Sequence, residues 1–482
     1  MILVIDVGTT GLRSAIVRPD ATVAAIEHLP FAPDSPFPGM VEFDATRMAQ
    51  LVLEAAQTVL RRTGNPPVNG VGVTNQRATT IVWERTTGRP IGPAIGWQDL
   101  RTVGECLTAK AEHGLDLAPN QSATKIGWLL ANCGDHDPAD LCFGTVDSWV
   151  AWTLSDGALH VTDHTNAAIT GLYSIERRGW HIENCQTLGI DPAMLPTIVD
   201  TIGVAGEATA LPDGPPIGAL AGDQQASLVG QGCVTPGHAK FTFGTGGMLD
   251  MTTGPDVPAS AARSENGTFP IVAWTQDGSV TWGVEAIMLS AGSNVEWLRD
   301  DLQLIASSKE SHDVAAACET ADGVVYVPAL LGLGTPHWDY GARGTLLGIT
   351  RGTERAHVVR AVLEGIAHRS ADMVEAAEAD TGLTIPSLRV DGGMSGNPTF
   401  VQAIADATRK PVEVSPTVDA TTVGAGLMAG TAVGEWPDVE TAAATFTPAS
   451  VVEPAGELDR DAWRAAVERS AGWIPELSAL DF

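Results

Sequence analysis

The chain opens with an unbroken apolar run, Ile2-Leu3-Val4-Ile5, that stops at Asp6-Val7-Gly8-Thr9-Thr10 and resumes at Ser14-Ala15-Ile16-Val17. Two β-rich runs joined by a short glycine–threonine turn predict a hairpin with a buried first strand. Over residues 44–62 the period changes: Met48, Leu51, Val52, Ala55, Ala56, Val59 and Leu60 recur at helical spacing, with Asp44 placed as the N-cap. Gly70-Val71-Gly72-Val73-Thr74 reads as a further strand. Strands and helices continue to alternate, which gives an α/β class.

The pattern returns in the second half. Ala239-Lys240-Phe241-Thr242-Phe243 ends in Gly244-Thr245-Gly246-Gly247, and Leu388-Arg389-Val390-Asp391 breaks at Gly392-Gly393. Strand-to-glycine turns that face each other from separate halves suggest a duplicated nucleotide clamp. A chain of 482 residues exceeds what one core usually supports. The glycine- and proline-marked segment 230–238 divides it into domains 1–232 and 233–482. Ala361–Ala367 predicts a core helix, and Trp463 with Trp473 predicts a closing helix packed on the second domain.

Composition narrows the function classes. Hydrophobic residues make up 44% and charged residues 18%, and no apolar run reaches the ~18–20 residues of a membrane helix. The first residues carry no basic region or cleavage site, so a cytoplasmic location is expected. Net charge is −30, which repels phosphate backbones and anionic lipids and argues against nucleic-acid or membrane partners. Only five lysines occur, Lys110, Lys125, Lys240, Lys309 and Lys410, reflecting either a salt-rich habitat or GC-rich codon usage. The six cysteines are scattered without Cys-x-x-Cys spacing, and His160, His164 and His181 have no ligand spacing, so buried thiols are expected rather than disulfides or zinc.

Two segments carry candidate chemistry. Asp6-Val7-Gly8-Thr9-Thr10 with Arg13 has the ingredients of a phosphate site: close backbone approach, hydroxyl donors, a cation, and a carboxylate for Mg²⁺. The alternative is an ordinary hairpin turn. Neither a Walker A sequence nor Gly-x-Gly-x-x-Gly follows a strand here. Asp223, after the apolar run Ile217–Ala221, is either a general base pointing into a cleft or a turn aspartate.

Taken together and in order, further segments decide between these readings. They include Thr74-Asn75-Gln76-Arg77-Ala78-Thr79-Thr80, Ile95-Gly96-Trp97-Gln98-Asp99-Leu100-Arg101-Thr102, Ser122-Ala123-Thr124-Lys125-Ile126-Gly127-Trp128 and Gly144-Thr145-Val146-Asp147-Ser148-Trp149. Val161–Ala167, Ala221–Ala226, Gly332–Asp339, Asp391-Gly392-Gly393 with Asn397, and Thr422-Val423-Gly424-Ala425 complete the series. Over residues 2–436 the chain resembles the FGGY family of carbohydrate kinases, on its glycerol kinase branch.

The resemblance implies two actin-like (ribonuclease H-like) ATPase domains around a central cleft, with ATP and Mg²⁺ as cofactors and a small polyol as substrate. It also implies a homodimer or tetramer. By position, Asp223 is the catalytic base and Asp6 positions Mg²⁺, directly or through water. Thr9, Thr10, Gly11 and Arg13 approach the transferred phosphate, with Gly11 where the family usually has serine. Thr245 and Gly292 meet the phosphates, Gly393 and Asn397 the nucleotide; Thr422–Ala425 resembles an adenosine-side motif. Arg77, Trp97, Asp223 and Gln224 line the polyol site.

Besides Gly11, four positions depart from the family. Ala78 replaces the glutamate expected to bind glycerol hydroxyls, Asn120 a tyrosine, Met248 a phenylalanine, and Glu296 a glutamine on the nucleotide side. A charge-assisted hydrogen bond is worth about 1.5–3 kcal/mol, so losing the glutamate alone weakens glycerol roughly ten- to a hundredfold. The expected substrate is a C4–C5 polyol, with Asn120 supplying new hydrogen bonds. The alternatives are glycerol itself, a ketose or other sugar, and a non-metabolic actin-like nucleotide-binding module.

Overall fold

A computed structural model describes residues 1–134 and 136–480. The opening hairpin forms as the pattern predicts: β1 (Ile2–Val7) is buried throughout and pairs antiparallel with β2 (Gly11–Val17), which pairs with β3 (Val23–Pro30). The helix α1 (Ala45–Arg62) buries the predicted stripe, and the Asp44 carboxylate accepts from Arg47 N at 2.9 Å. β4 (Gly70–Asn75) lies parallel to β1. After β5 (Ile202–Glu207), β6 (Pro216–Gly222) adds parallel to β4 and runs straight into α2 (Asp223–Gly230). The first half is thus ordered β3-β2-β1-β4-β6.

The second half repeats that plan. β7 (Ala239–Phe243) pairs antiparallel with β8 (Gly247–Gly254), and β9 (Phe269–Gln276) and β10 (Ser279–Met288) continue the antiparallel edge. Helices α3 (Gly292–Asp300) and α4 (Arg355–Thr381) precede β11 (Leu388–Gly392), which pairs parallel with β7. The strand-to-glycine turns at 244 and 392 are therefore neighbours in one sheet, and the turn from the other half is the one at Gly8. Helix α5 (Pro398–Thr408), β12 (Val412–Val414), α6 (Ala420–Ala432), β13 (Ser450–Val452) and α7 (Arg460–Ser470) complete the half. With β9 as an insertion, β10-β8-β7-β11-β12 matches the order and polarity of the first half. The fold is two actin-like (ribonuclease H-like) α/β units, joined through β5 and β9 into one 13-stranded sheet.

The halves exchange helices at their junction. α6 falls in sequence between β12 and β13 of the second half but lies on β4 and β6, because Gly72 leaves room for it: a Cβ there would sit 2.4 Å from Ala425 O. α6 and α2 cross backbone to backbone, where Cβ atoms at Gly230 and Gly424 would fall 2.0 Å from Ala420 O and 1.7 Å from Ala226 O. Any side chain at either position forces the helices apart.

Ala361–Ala367 is buried within α4 as predicted. Trp463 of α7 is buried and stacked on His368 with centroids 5.0 Å apart, but Trp473 is 72% exposed, contrary to the expectation that both pack. The helix ends at Ser470, two residues before the left-handed Gly472, and the chain has turned by residue 473. All six cysteines are free; Cys106, Cys142, Cys185 and Cys233 are buried, while Cys133 and Cys318 are half-buried. Among the described residues no helix is long and apolar enough to cross a membrane.

Candidate active site

Asp6 sits near the end of β1 and Asp223 begins α2 directly after β6, so two parallel strands flanking β4 deliver one carboxylate each to the same end of the sheet. Burial of Asp6 raises its pKa to about 6; Arg13 opposes that shift and Asp223 adds to it. Arg13 Nη1 lies 3.5 Å from Asp6 Oδ2, and Thr422 Oγ1 donates to the same oxygen at 3.2 Å. Thr422, read from sequence within an adenosine-side motif, is thus placed against Asp6 instead, because α6 lies over the first sheet. Thr9 and Thr10 occupy the β1–β2 turn, closed by Gly8 N donating to Gly11 O at 2.9 Å. A Cβ at Gly11 would lie 2.3 Å from His28 Nε2, so the imidazole fills the space a serine would need.

The Asp223 side chain is 30% exposed, which leaves it reachable from the cleft. Burial pushes its pKa up, against the pull of Arg77 and Lys240. Its position is set from behind: Gly222 N donates to Thr165 Oγ1 at 2.8 Å, and Thr165 N donates to Asp163 at 2.8 Å. Asp163 also takes Asn166 N at 3.0 Å, and Asn166 Oδ1 receives Asn75 Nδ2 at 2.9 Å. The Val161–Ala167 motif therefore acts as a buried polar bracket between β4 and the start of α2.

Arg77, in the turn after β4, has its Nε 3.9 Å from Asp223 Oδ1 and donates a short hydrogen bond from Nη2 to Glu285. Ala78 follows in the left-handed region, φ 62°, a conformation that costs a non-glycine residue about 1 kcal/mol. Its carbonyl accepts from Ser122 Oγ and Thr80 Oγ1, both at 3.2 Å, so the turn is pinned by its backbone while the side chain is reduced to a methyl. Asn120 is half-buried two residues before Ser122. Trp97 Nε1 donates to Thr9 Oγ1 at 3.4 Å, tying the loop around Trp97 to the β1–β2 turn. The fully buried Lys125 holds this loop through Gly96 O at 2.7 Å and Trp97 O at 3.4 Å.

On the opposite wall, the register of β7, β8 and β10 stacks two rows on one sheet face. Thr242, Met248 and Ile287 form a half-buried row, and Lys240, Asp250 and Glu285 a buried row beneath it. Lys240 reaches Asp250 at 2.7 Å, Thr242 Oγ1 at 3.0 Å and Gln224 Oε1. The sequence reading missed Lys240, Asp250 and Glu285 as site residues; the available signal was a charged residue interrupting each apolar strand.

Thr245 lies exposed in the β7–β8 turn, and its carbonyl accepts from Ala291 N at 2.8 Å. Gly292 starts α3 and packs on Gly244, where a Cβ would meet Gly244 O at 2.5 Å. Glu296 is exposed one turn along α3. Gly393 is exposed after β11, and Asn397 caps α5, accepting from Phe400 N at 3.1 Å and donating to Ser311 Oγ at 2.9 Å. These residues lie on turns and helix starts of the second half.

A fold of two matched halves, with paired carboxylates in its cleft, has direct counterparts. Residues 1–230 match the N-terminal domain, and residues 239–433 the C-terminal domain, of the FGGY family of carbohydrate kinases. The chain belongs to this family. It is 41% identical to a glycerol kinase of Aromatoleum aromaticum over 98% of this chain and 99% of that protein. It is 42% identical to one of Trichlorobacter lovleyi over 98% and 99% respectively. The glycerol kinase of Plasmodium falciparum, solved with ADP, superposes with a TM-score of 0.89 at 30% identity, covering 98% of each chain. As an FGGY member the chain is an ATP-dependent carbohydrate kinase, acting on glycerol or another polyol.

Proposed function

We propose that this kinase phosphorylates a C4–C5 polyol, with Asp223 as general base. The observation that carries the reading is the pairing of a partly exposed Asp223 with a pocket whose cations are already neutralised: Arg77 by Glu285 and Asp223, Lys240 by Asp250. Such a pocket suits a neutral, hydroxyl-rich substrate rather than an acid. Its loss of a glutamate at Ala78, and its Asn120 and Met248, favour a chain longer than glycerol. Residues 1–232 then hold the polyol and 233–482 the nucleotide.

Asp223, raised in pKa yet reachable, accepts the proton of the attacking hydroxyl as its oxygen bonds to the γ-phosphorus and the bond to ADP breaks. Thr9, Thr10 and Arg13 stabilise the transferred group from one side, Thr245 and the chain at Gly292 from the other. The β11 side, through Gly393 and Asn397 with Glu296 opposite, holds the nucleotide. Two desolvated carboxylates facing each other fit a divalent cation, and among the described residues no cluster of three or more histidine, cysteine or acidic side chains supplies a full ligand set. That suits Mg²⁺, which keeps waters and takes phosphate oxygens, with Asp6 as its protein partner. When bound it neutralises phosphate charge.

A coupled ADP-release assay with Mg-ATP tests the reading against glycerol, erythritol, the threitols, arabitols, xylitol, ribitol and common ketoses. Selective turnover of one C4–C5 polyol is expected. Dominance by glycerol, or equal kcat/KM across all polyols, contradicts the longer substrate; silence contradicts a polyol substrate altogether.

A further inference from the structure

Five adjacent strands and the β4 turn carry an ordered line of charge. In register across the sheet stand Glu413, Arg389, Lys240, Asp250 and Glu285, and the line ends on Arg77 of the other half. Directly paired residues share a sheet face, so these side chains lie on one side. Lys240 and Asp250 are fully buried, and Glu285 nearly so. Helix α2 lies along this face and is fastened to it at three points. Lys240 Nζ donates to Gln224 Oε1, Ser227 Oγ to Asp391 Oδ2 at 3.2 Å, and Arg389 Nη1 to the carbonyl of Gln231.

Within the line, Asp250 and Glu285 are cross-strand neighbours, an arrangement of like charges that is destabilising unless compensated. Lys240 compensates Asp250 on one flank and Arg77 compensates Glu285 on the other. Burial, reinforced by Asp250 and opposed by Arg77, raises the Glu285 pKa to about 7.

We propose that the buried Lys240–Asp250–Glu285 row is the positioning device of the catalytic helix. It grips Gln224 through Lys240 and Arg77 through Glu285, and Asp223 stands between those two grips. The proposal rests on the polyol reading for its kinetic consequence, but not for its structural one. Neither Asp250 nor Lys240 touches the substrate in this scheme. They act through Gln224 and Arg77, and an error in the row appears as a misplaced base and loosened polyol contacts.

Removing both charges together avoids leaving one buried ion unpaired, and an apolar pair of similar volume is often tolerated in such places. The double variant Lys240→Met, Asp250→Leu is expected to stay folded, raise KM for the preferred polyol at least tenfold, and leave KM for ATP within twofold. Glu285→Gln, which keeps shape and removes the ionisable proton, is expected to raise polyol KM three- to tenfold. Hydrogen exchange followed by mass spectrometry supplies a readout independent of turnover. Amides of 223–230 should exchange at least tenfold faster in the double variant, with the β1–β3 sheet unchanged. Unchanged exchange in α2, or polyol and ATP KM rising together with a general loss of protection, overturns the proposal. Wild-type enzyme silent on every polyol defeats the polyol reading alone, since the exchange experiment still decides the role of the row.

Discussion

We propose that the cleft has a phosphate end and a polyol end; at the first, Asp6 has Arg13 3.5 Å away, and burial raises its pKa to about 6. At the polyol end, Arg77 touches two carboxylates and Lys240 is paired at 2.7 Å. The first region is short of positive charge; the second has satisfied its own. A site short of cation is ready for Mg-ATP, whereas a site with internally balanced charge recognises hydroxyl geometry. By the sequence resemblance, Gly11 is the one departure among the β1–β2 turn residues, while Ala78, Asn120 and Met248 all fall among the residues expected to line the polyol site. We propose that chemistry is retained where the phosphate moves and that selectivity is redrawn where the alcohol binds.

The largest effect that breaks the phosphate end is Asp223→Asn, expected to lower kcat by 10²–10⁴, about 3–5 kcal/mol of barrier. An unchanged kcat in steady-state assays removes Asp223 from the base role. Ala78→Glu sharpens the other end. Restoring the carboxylate is expected to raise kcat/KM for glycerol, relative to the best longer polyol, by roughly ten- to a hundredfold. No change in that ratio means Ala78 does not govern selectivity.

Asp6→Asn separates function from stability. A carboxyl whose folded pKa is raised from 3.8 to about 6 binds its proton more tightly when folded. Its stability penalty is therefore absent below about pH 4, grows as pH rises to 6, and is complete above that. Asp6→Asn should stabilise the protein by about 2–3 kcal/mol at pH 7–8, as judged by denaturant melts, with the gain gone near pH 4. It should also abolish most activity. A variant destabilised at neutral pH would show that Arg13 and Thr422 outweigh burial. The smallest effect falls on the link between the two ends: Lys125→Met is expected to raise polyol KM up to about tenfold by freeing Trp97, with ATP KM unchanged.

Local features were legible in the sequence. The α1 stripe with its Asp44 cap, the strand at 239–243 and the placement of Asp223 after a buried strand all depend on short-range pattern. The helix exchange was not legible, because Gly230 and Gly424 look like ordinary helical glycines until two backbones meet there. The buried row was hidden for a related reason. Lys240, Asp250 and Glu285 each stand alone in an apolar strand, and only β7–β8–β10 register brings them together. Trp473 was misread because aromatic content says nothing about which side of a turn faces solvent.

On the proposed reading, the cleft joins a preserved phosphate site to a rebuilt alcohol site. The ratio of kcat/KM for the best C4–C5 polyol to that for glycerol, at saturating Mg-ATP, tests it most directly. A ratio of ten or more is the predicted result. A ratio below one would mean that Ala78, Asn120 and Met248 leave a glycerol pocket intact, and would contradict the account.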